Sequence, residues 1–543
     1  MLIEFHVIQE FGPSNLNRDQ EGRPKKAFYA GSERLRISSQ CLKRVIRQPR
    51  RPDQDDRTLG VFEQTVGSAN FGVRTRLLPE RVAAAWQAEF GADDKNVEGI
   101  KAAVSIIAQK DSKQDEVRPD GKVRTPQAIY LDLDREVERI IAILKDLKAK
   151  DKLDDLADPA QIFADNLGDA AKKLQWPKSS PEKDIAWASV RAHWPMIQSV
   201  VEAMDVADRP DGFEPSTEAE KLTPSYDLAY WLLRVILKLR ENEAYEDEAA
   251  LSKSLKPERG AKKVSGAKVT LADSLKCTSD RPISAADIAL FGRMTTSDAF
   301  RDIEAACQVA DAISTHPAYP EYDYFTAVDD LATDAGAAHL GESQFASAVF
   351  YKYLSVDHTA LCRNLGAEIP DDKKDDEFFH AAAAKANDVA AKSIEGLLRA
   401  LMLNVPRGKI NSHAQNQQPS LILVEVKQAH VATSYLTAFH DPARAGEREN
   451  GTTETLLTDS IRKLLAFAQY RNRKMAVDGT QRFLFINDPD CEQAVERLRN
   501  DLKKGNQSPL TDDEFFSDST LKSCDAFNDL VAAVNAAVAG GRK

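Results

Sequence analysis

No Cys-x-x-Cys pair occurs in this chain, although it holds six cysteines in 543 residues. Cys41, Cys277, Cys307, Cys362, Cys491 and Cys524 lie far apart, which signals neither a zinc site nor a disulfide framework and fits a reducing cytoplasm. No apolar run reaches the roughly 18 residues of a membrane span. The opening MLIEFHVIQEF lacks a basic region followed by an apolar one, so we expect no signal peptide, no membrane partner and a cytoplasmic protein. The nine histidines show no metal-binding spacing. P-loop, dinucleotide and nucleophile-elbow motifs are missing. The RNP1 pattern of ordinary RNA-binding sheets is missing too. Asp329-Asp330 and Asp371-Asp372 are paired carboxylates of a kind that hold metal, but in polar loops they read first as turn or cap residues. The residues therefore give no positive sign of catalysis, and we expect no cofactor and no metal.

Basic charge is scarce overall and concentrated locally. The net charge is −12, which opposes non-specific association with nucleic acid. Against that background Pro13–Arg50 stands out. Between Arg18 and Arg50 it carries ten basic residues, opposed only by Asp19, Glu21 and Glu33. A local positive field in a negative protein points to a polyanion; a solvated basic loop is the competing reading. Ser38 or Ser39 is placed to cap a helix whose first turns hold Gln40, Lys43, Arg44 and Arg47. A helix N-terminus offers unpaired N–H groups to phosphate. Cations there are unfavourable by about 0.3–1 kcal/mol each unless an anion binds.

Along the chain, Leu2–Glu10 alternates as a strand, Ser14 to Gly31 is a long loop, and Leu35–Ile37 is a short strand. Leu78–Phe90, Val97–Gln109, Ala128–Leu147 and Tyr226–Arg240 have helical spacing. Polar breaks fall at Lys110–Arg118, Ala207–Glu218 and Glu246–Val269, the last being the most disorder-like. Ile288–Met294 reads as a strand and Ala299–Thr315 as a helix. An excursion rich in tyrosine then carries Phe325. Strands at Phe345–Val356, Leu421–Val426 and Arg482–Ile486 alternate with helices at Asp375–Leu403, Glu454–Tyr470, Cys491–Lys504 and Asp525–Ala539. Pro406–Gln418 is a polar turn. This predicts an α+β fold: a small antiparallel sheet, helices on one face, a split β-α-β core and two insertions. Met294 and Phe325 could press against bases, a contact contributing roughly 1–3 kcal/mol. Ordinary packing is the competing reading of each.

Five ordered blocks carry a resemblance. They are PSNLNRD continuing through ISSQCLKR, then DIALFGRMTTSD, ADAISTHPAYPEYDYFTAVDDL, GAAHLGESQFASAVFYKY and GKINSHAQNQQPSLILVEV. They resemble the CasC family, the crRNA-binding backbone subunit of the type I-E CRISPR Cascade complex. The blocks span roughly Met1–Arg50 and Asp287–Val426, with a weaker likeness over Thr455–Asp488. The resemblance implies a modified RRM (ferredoxin-like) palm with a large helical fingers insertion and a thumb loop. Residues 1–50, 287–316 and 345–440 would be palm, 51–286 fingers, 317–344 thumb, and 441–543 palm completion with C-terminal helices.

The resemblance further implies a non-catalytic protein. Copies would stack head-to-tail along a crRNA and present it to target DNA, beside other Cascade subunits and a recruited helicase-nuclease. By position, Ser39, Gln40, Lys43, Arg44 and Arg47 would contact the guide, with Arg18, Lys25 and Lys409 nearby. Thr296 and Ser297 would add phosphate contacts, and Met294 and Phe325 would wedge against a displaced nucleotide. This chain departs from the family in its greater length, in Ala30 where Gly is more usual, and in Cys41 where Ser is more usual. Two other readings stand beside this one. One is a metal-dependent RNase using Asp329 and Asp330. The other is an interaction scaffold free of nucleic acid.

Overall fold

The computed structural model describes residues 1–47, 60–91, 96–106, 125, 128–150, 282–295, 299–328, 337–447, 453–503 and 521–540. The chain divides into two compact units. One comprises Met1–Gly72, Pro282–Arg293 and Ile303–Lys543; the other comprises Val73–Arg281 and Met294–Asp302.

The first unit is built on a ten-stranded sheet. Its strands are β1 (Leu2–Ser14), β2 (Lys26–Tyr29), β3 (Ser32–Ile37), β4 (Cys307–Val309), β5 (Ala312–Ser314), β6 (Pro320–Val328), β7 (Ala337–Asp357), β8 (Leu421–Lys427), β9 (Gln481–Ile486) and β10 (Leu521–Cys524). The order is β10-β9-β8-β1-β7-β5-β3-β2, with β4 and β6 also paired to β7. All pairs are antiparallel except β9–β10.

The alternation in β1 sends side chains to two faces, and both are buried. On one, Ile8, Tyr351, Leu423 and Leu484 pack against the helix Leu456–Lys474 through Ile461, Leu464 and Leu465. On the other, Phe485 meets Phe527 of the helix Phe527–Gly540. That helix is tied to the long helix Glu377–Leu403 by Asn535 donating to Glu395 at 2.9 Å. The predicted small sheet with helices on one face is thus a large sheet covered on both. Buried faces on both sides of a strand read as a nearly continuous apolar run, which hides the second layer.

Two further sequence expectations are corrected. Ile288–Met294 lies not in a strand but largely in the helix Ala286–Phe291, closed by Gly292 at φ 79°. Ala286 through Leu290 are all buried, and periodicity cannot separate a fully buried helix from a buried strand. Ala299–Thr315 is not helical; β4 and β5 occupy its second half. Its helical spacing is met instead by cross-strand partners, Cys307 opposite Val356 and Ile313 opposite Tyr351. The tyrosine-rich excursion is a hairpin, β6 against the start of β7, rather than a loop.

At the far edge of the sheet β2 turns into β3 through Ala30 and Gly31, at φ 48° and 80°. Two positive φ values define the tight hairpin turn that matches strand twist. Glycine adopts this conformation without cost and alanine does not.

The second unit packs the helices Leu78–Phe90, Val97–Ile106 and Leu133–Ala149 around Trp86, Ile100, Val104, Ile140 and Leu144. Ala299 and Phe300 join that core. A two-stranded ribbon, Val73–Thr75 with Ile129–Leu131, interrupts the mostly helical run expected here, so Ala128–Leu147 begins as a strand. Tyr226–Arg240, Lys110–Arg118, Ala207–Glu218 and Glu246–Val269 lie outside the described residues. Among the described residues no helix is long and apolar enough to cross a membrane.

Candidate nucleic-acid interface

The long basic loop is fixed by its own short polar side chains. Buried Asn15 donates from Nδ2 to the carbonyls of Gly22 at 2.8 Å and Gln344 at 2.9 Å. Asp19 Oδ1 accepts the backbone N–H groups of Glu21 and Arg23, each at 2.9 Å. Asn17 accepts from Lys25 N–H through its carbonyl and from Ser38 N–H through Oδ1. Asn and Asp hold turns this way because their side chains reach nearby backbone. The result leaves Arg18 exposed and Lys25 half-buried.

The helix Ser39–Arg47 follows directly. Leu42 and Ile46 face inward, Gln40 and Arg44 are exposed, and Ser39, Lys43 and Arg47 are half-buried. Asn404 closes its C-terminal end by donating to Val45 O at 3.0 Å. At the other end the structure corrects the phosphate expectation in part. The Ser39 N–H donates to Asp311 Oδ1 at 2.7 Å, and Arg36 pairs with the same carboxylate at 3.0 Å. The protein's own anion therefore occupies the first N–H of the helix.

Arg47 does not join the open face. Its Nε pairs with Asp287 at 2.8 Å, its Nη2 donates to Gly72 O at 3.2 Å, and its guanidinium lies 5.4 Å from the Phe71 ring centroid. Asp287 is fully buried and also accepts the Gly72 N–H at 2.7 Å. Arg47 is an internal strut. Lys43 Nζ lies 5.9 Å from the Phe291 ring centroid.

Three basic side chains act electrostatically on Cys41. Burial pushes its thiol up, while Lys25, Lys352 and Arg44 pull it down. Lys25 of the loop and Arg44 of the helix thus share one neighbourhood. Lys409 is brought alongside by backbone packing. A Cβ on Gly408 would stand 2.3 Å from Leu16 O and 2.4 Å from Asn15 O, so only glycine allows the two loops to touch. Lys409 itself has φ 48°, and exposed Arg407, which sequence reasoning missed, precedes it. Alternation of charge could not have exposed Arg407; only the Gly408 contact does.

Phe325 lies across from Gly341, and its ring covers the glycine so closely that a Cβ would meet Cζ at 2.3 Å. Phe325 is 45% exposed, whereas Tyr319, Tyr322, Tyr324 and Leu340 are more so, with Tyr322 at 66%. Residues 319–345 contain no Lys or Arg. The hairpin offers rings rather than positive charge. Met294 belongs to the second unit and is 92% exposed. Thr296, Ser297, Asp329 and Asp330 lie outside the described residues. Among the described residues, no group of three His, Cys, Asp or Glu could hold a metal ion.

A second charged cluster is closed. Lys427 pairs with Glu4 and, at 3.0 Å, with Glu425, which also binds Arg482 at 2.9 Å. Tyr353 donates to Glu4 at 2.5 Å and Tyr435 to Glu425 at 3.0 Å. His6 Nδ1 sits 2.8 Å from the Tyr351 hydroxyl, and its ring stacks on Tyr435. Burial holds His6 down at about 4 and raises Glu4. Burial alone would also raise Glu425, but Lys427, His6 and Arg482 outweigh it and hold it at about 2. The cluster is sealed and ion-paired, an arrangement suited to holding the sheet.

Comparison with known families matches residues 3–186 and 198–506 to the family described as CT1975-like protein. No curated protein matches. A chain of a structure titled "CRISPR RNA-guided surveillance complex, pre-nicking" is similar with a TM-score of 0.55 and 20% identity, covering 99% of this chain and 100% of that one. A chain of a "CRISPR RNA-guided surveillance complex" gives a TM-score of 0.46 and 17% identity, with 99% and 100% covered. The first likeness is one of fold.

Proposed function

The chain belongs to the CT1975-like protein family, and from that premise we propose that it is a non-catalytic backbone subunit of a type I-E-like Cascade complex, of the CasC kind. Its exposed basic face holds the crRNA along its phosphates. The observation that carries this reading is the backbone contact of Gly408 with Asn15 and Leu16, which seats Lys409 and exposed Arg407 against the basic loop of Arg18 and Lys25, with exposed Arg44 on the helix that follows, in a protein of net charge −12. Ser39, Gln40 and Lys43 flank that face; Arg47 is left out of it. Phosphate contacts position a strand without reading it, and sequence is read by the guide's pairing with target DNA.

The strand order β8-β1-β7-β4, with helices between β1 and β4 and between β7 and β8, supports a ferredoxin-like palm. In this reading residues 51–286 are fingers and 317–344 the thumb. The hairpin's exposed rings, Phe325 among them, wedge against a displaced nucleotide; Met294 is assigned a wedge and Thr296 and Ser297 phosphate contacts by the family resemblance alone. Copies stack head-to-tail, a heterologous contact that builds a filament rather than a closed ring. Sibling Cascade subunits and a recruited helicase-nuclease complete the cytoplasmic assembly.

The test is to express the chain with its sibling subunits and a CRISPR array, digest the purified complex with nuclease, and size the protected RNA. A regular ladder of fragments is expected. Protein that carries no RNA, or magnesium-dependent cleavage of the guide lost on Asp329→Ala with Asp330→Ala, would overturn the reading.

A further inference from the structure

Lys352 is a buried ammonium in an apolar setting. It lies on β7 opposite Val7, is 2% exposed, and sits 5.6 Å from the Phe11 ring centroid. Among the described residues no carboxylate pairs with it. Its hydrogen-bond partner is Gln9 Oε1. Burying an ammonium without a counter-charge is costly, so a lysine placed here needs a reason.

The reason lies in what Gln9 does with its other end. Gln9 Nε2 donates to Gln417 O at 2.5 Å, and Gln417 Oε1 accepts the Gly12 N–H at 2.9 Å. Gln415 packs on Gly12 as well, with Oε1 3.1 Å from where a Cβ would stand. An amide can face either way, but an ammonium only donates. Lys352 therefore forces the Gln9 oxygen inward and its NH₂ outward onto the loop 406–418. The outward orientation is the one that holds Gln417.

We propose that Lys352 is a positioning residue for the RNA-facing loop 406–418, acting through the orientation of the Gln9 amide rather than by touching RNA. The inference rests on the RNA-binding reading above. It also gives the loop a proton dependence. Burial brings Lys352 down to about 7. A neutral amine can accept as well as donate, so above that pH only the Gln417 carbonyl still favours this orientation of the Gln9 amide, and the loop loosens. The ionisable group facing Lys352 is the Cys41 thiol on the helix Ser39–Arg47, itself pushed up by burial and flanked by Lys25 and Arg44. From β1 it meets the Gln9 amide and the Phe11 ring, beside Val7 directly opposite.

The experiment measures affinity of the full chain for a fluorescent crRNA by anisotropy at pH 6 and pH 8. Every protein carries His413→Gln, so that no imidazole on the loop contributes. The parent is expected to bind severalfold more tightly at pH 6. Lys352→Arg, which stays charged across this range, is expected to bind equally at both. Gln9→Glu still accepts from Lys352 but cannot donate to Gln417, and is expected to bind severalfold more weakly at pH 6 while keeping its thermal unfolding cooperative. A parent that binds RNA with no difference between the two pH values overturns this inference alone. So does a difference that Lys352→Arg leaves intact, or a Gln9→Glu protein that binds like the parent. A parent that binds no RNA at either pH overturns the RNA-binding reading and this inference together.

Discussion

In the cluster of Glu4, Glu425, Lys427 and Arg482 on β1, β8 and β9 the charges are matched and shut away; along the loop before β2 and the helix after β3 they are mostly exposed and of one sign. In the closed layer each carboxylate has a cation within ion-pair distance. On the open face Arg18 and Arg44 point outward, and Lys25 and Arg44 act on the same thiol. The same side-chain chemistry serves opposite ends. A sealed ion pair acts on folding, because removing one partner strands the other in low dielectric. An exposed cation adds little to stability and much to the long-range field. Arg44 and Arg47 condense the contrast into one helical turn, since Arg47 is bound to buried Asp287 and Arg44 is not.

The largest effect is expected in the closed layer. Lys427→Met leaves Glu4 and Glu425 without their shared cation and should cost about 3–5 kcal/mol, read as a lower midpoint in urea. The folded fraction should bind RNA as before. Arg47→Ala should behave like a closed-layer change despite its place beside Arg44. It removes the guanidinium paired with buried Asp287 and should cost about 3 kcal/mol while leaving the salt dependence of RNA binding unchanged. Equal effects of Arg44→Ala and Arg47→Ala on that salt dependence would erase the distinction between the two faces.

Acid sharpens the comparison further. His6 titrates at about 4 in the folded chain, below its ordinary 6.5. The unfolded chain therefore binds more protons between those values, and stability falls as pH drops from 6.5 to 4. Glu425 is held at about 2, below its ordinary 4.5, so its contribution is present above 4.5 and lost as pH falls toward 2. The two groups belong to one coupled cluster and share interactions, so both losses act on the same closed layer. Urea unfolding measured from pH 7 downward should show both losses, and His6→Gln should remove the first.

The smallest effect lies at the sheet edge. Ala30 holds φ 48° in the β2–β3 turn, and Ala30→Gly should stabilise the protein by roughly 1 kcal/mol. Thermal unfolding would register it as a modest rise in midpoint.

How much of this was legible beforehand follows from what periodicity can carry. Leu2–Glu10 and Leu421–Val426 alternate or run apolar, and both are strands, extended to Ser14 and Lys427. Leu78–Phe90 is a helix over the stated residues. Ile288–Met294 reads as a strand although Ile288–Phe291 is helical, because Ala286 through Leu290 are all buried and no helical stripe is left. The residues of Ala299–Thr315 have helical spacing by coincidence, since Cys307 and Ile313 find their partners, Val356 and Tyr351, on a strand much later in the chain. Within the site, the concentration of cations in Arg18–Arg50 was visible. Their division was not. Asp311 capping Ser39, Asp287 capturing Arg47 and Gly408 seating on Leu16 are all long-range contacts. Lys352 stood unremarked in FYKY because a lysine in a strand ordinarily faces water.

The most direct test of the open face is a salt titration of crRNA binding with two unrelated guide sequences. Lys43→Ala combined with Arg44→Ala should weaken both guides alike. It should also flatten the dependence of log affinity on log salt, by roughly 1.4 for two single-strand phosphate contacts. Loss of affinity for one guide and not the other, or an unchanged salt slope, would contradict a face that holds phosphates and leaves sequence to base pairing.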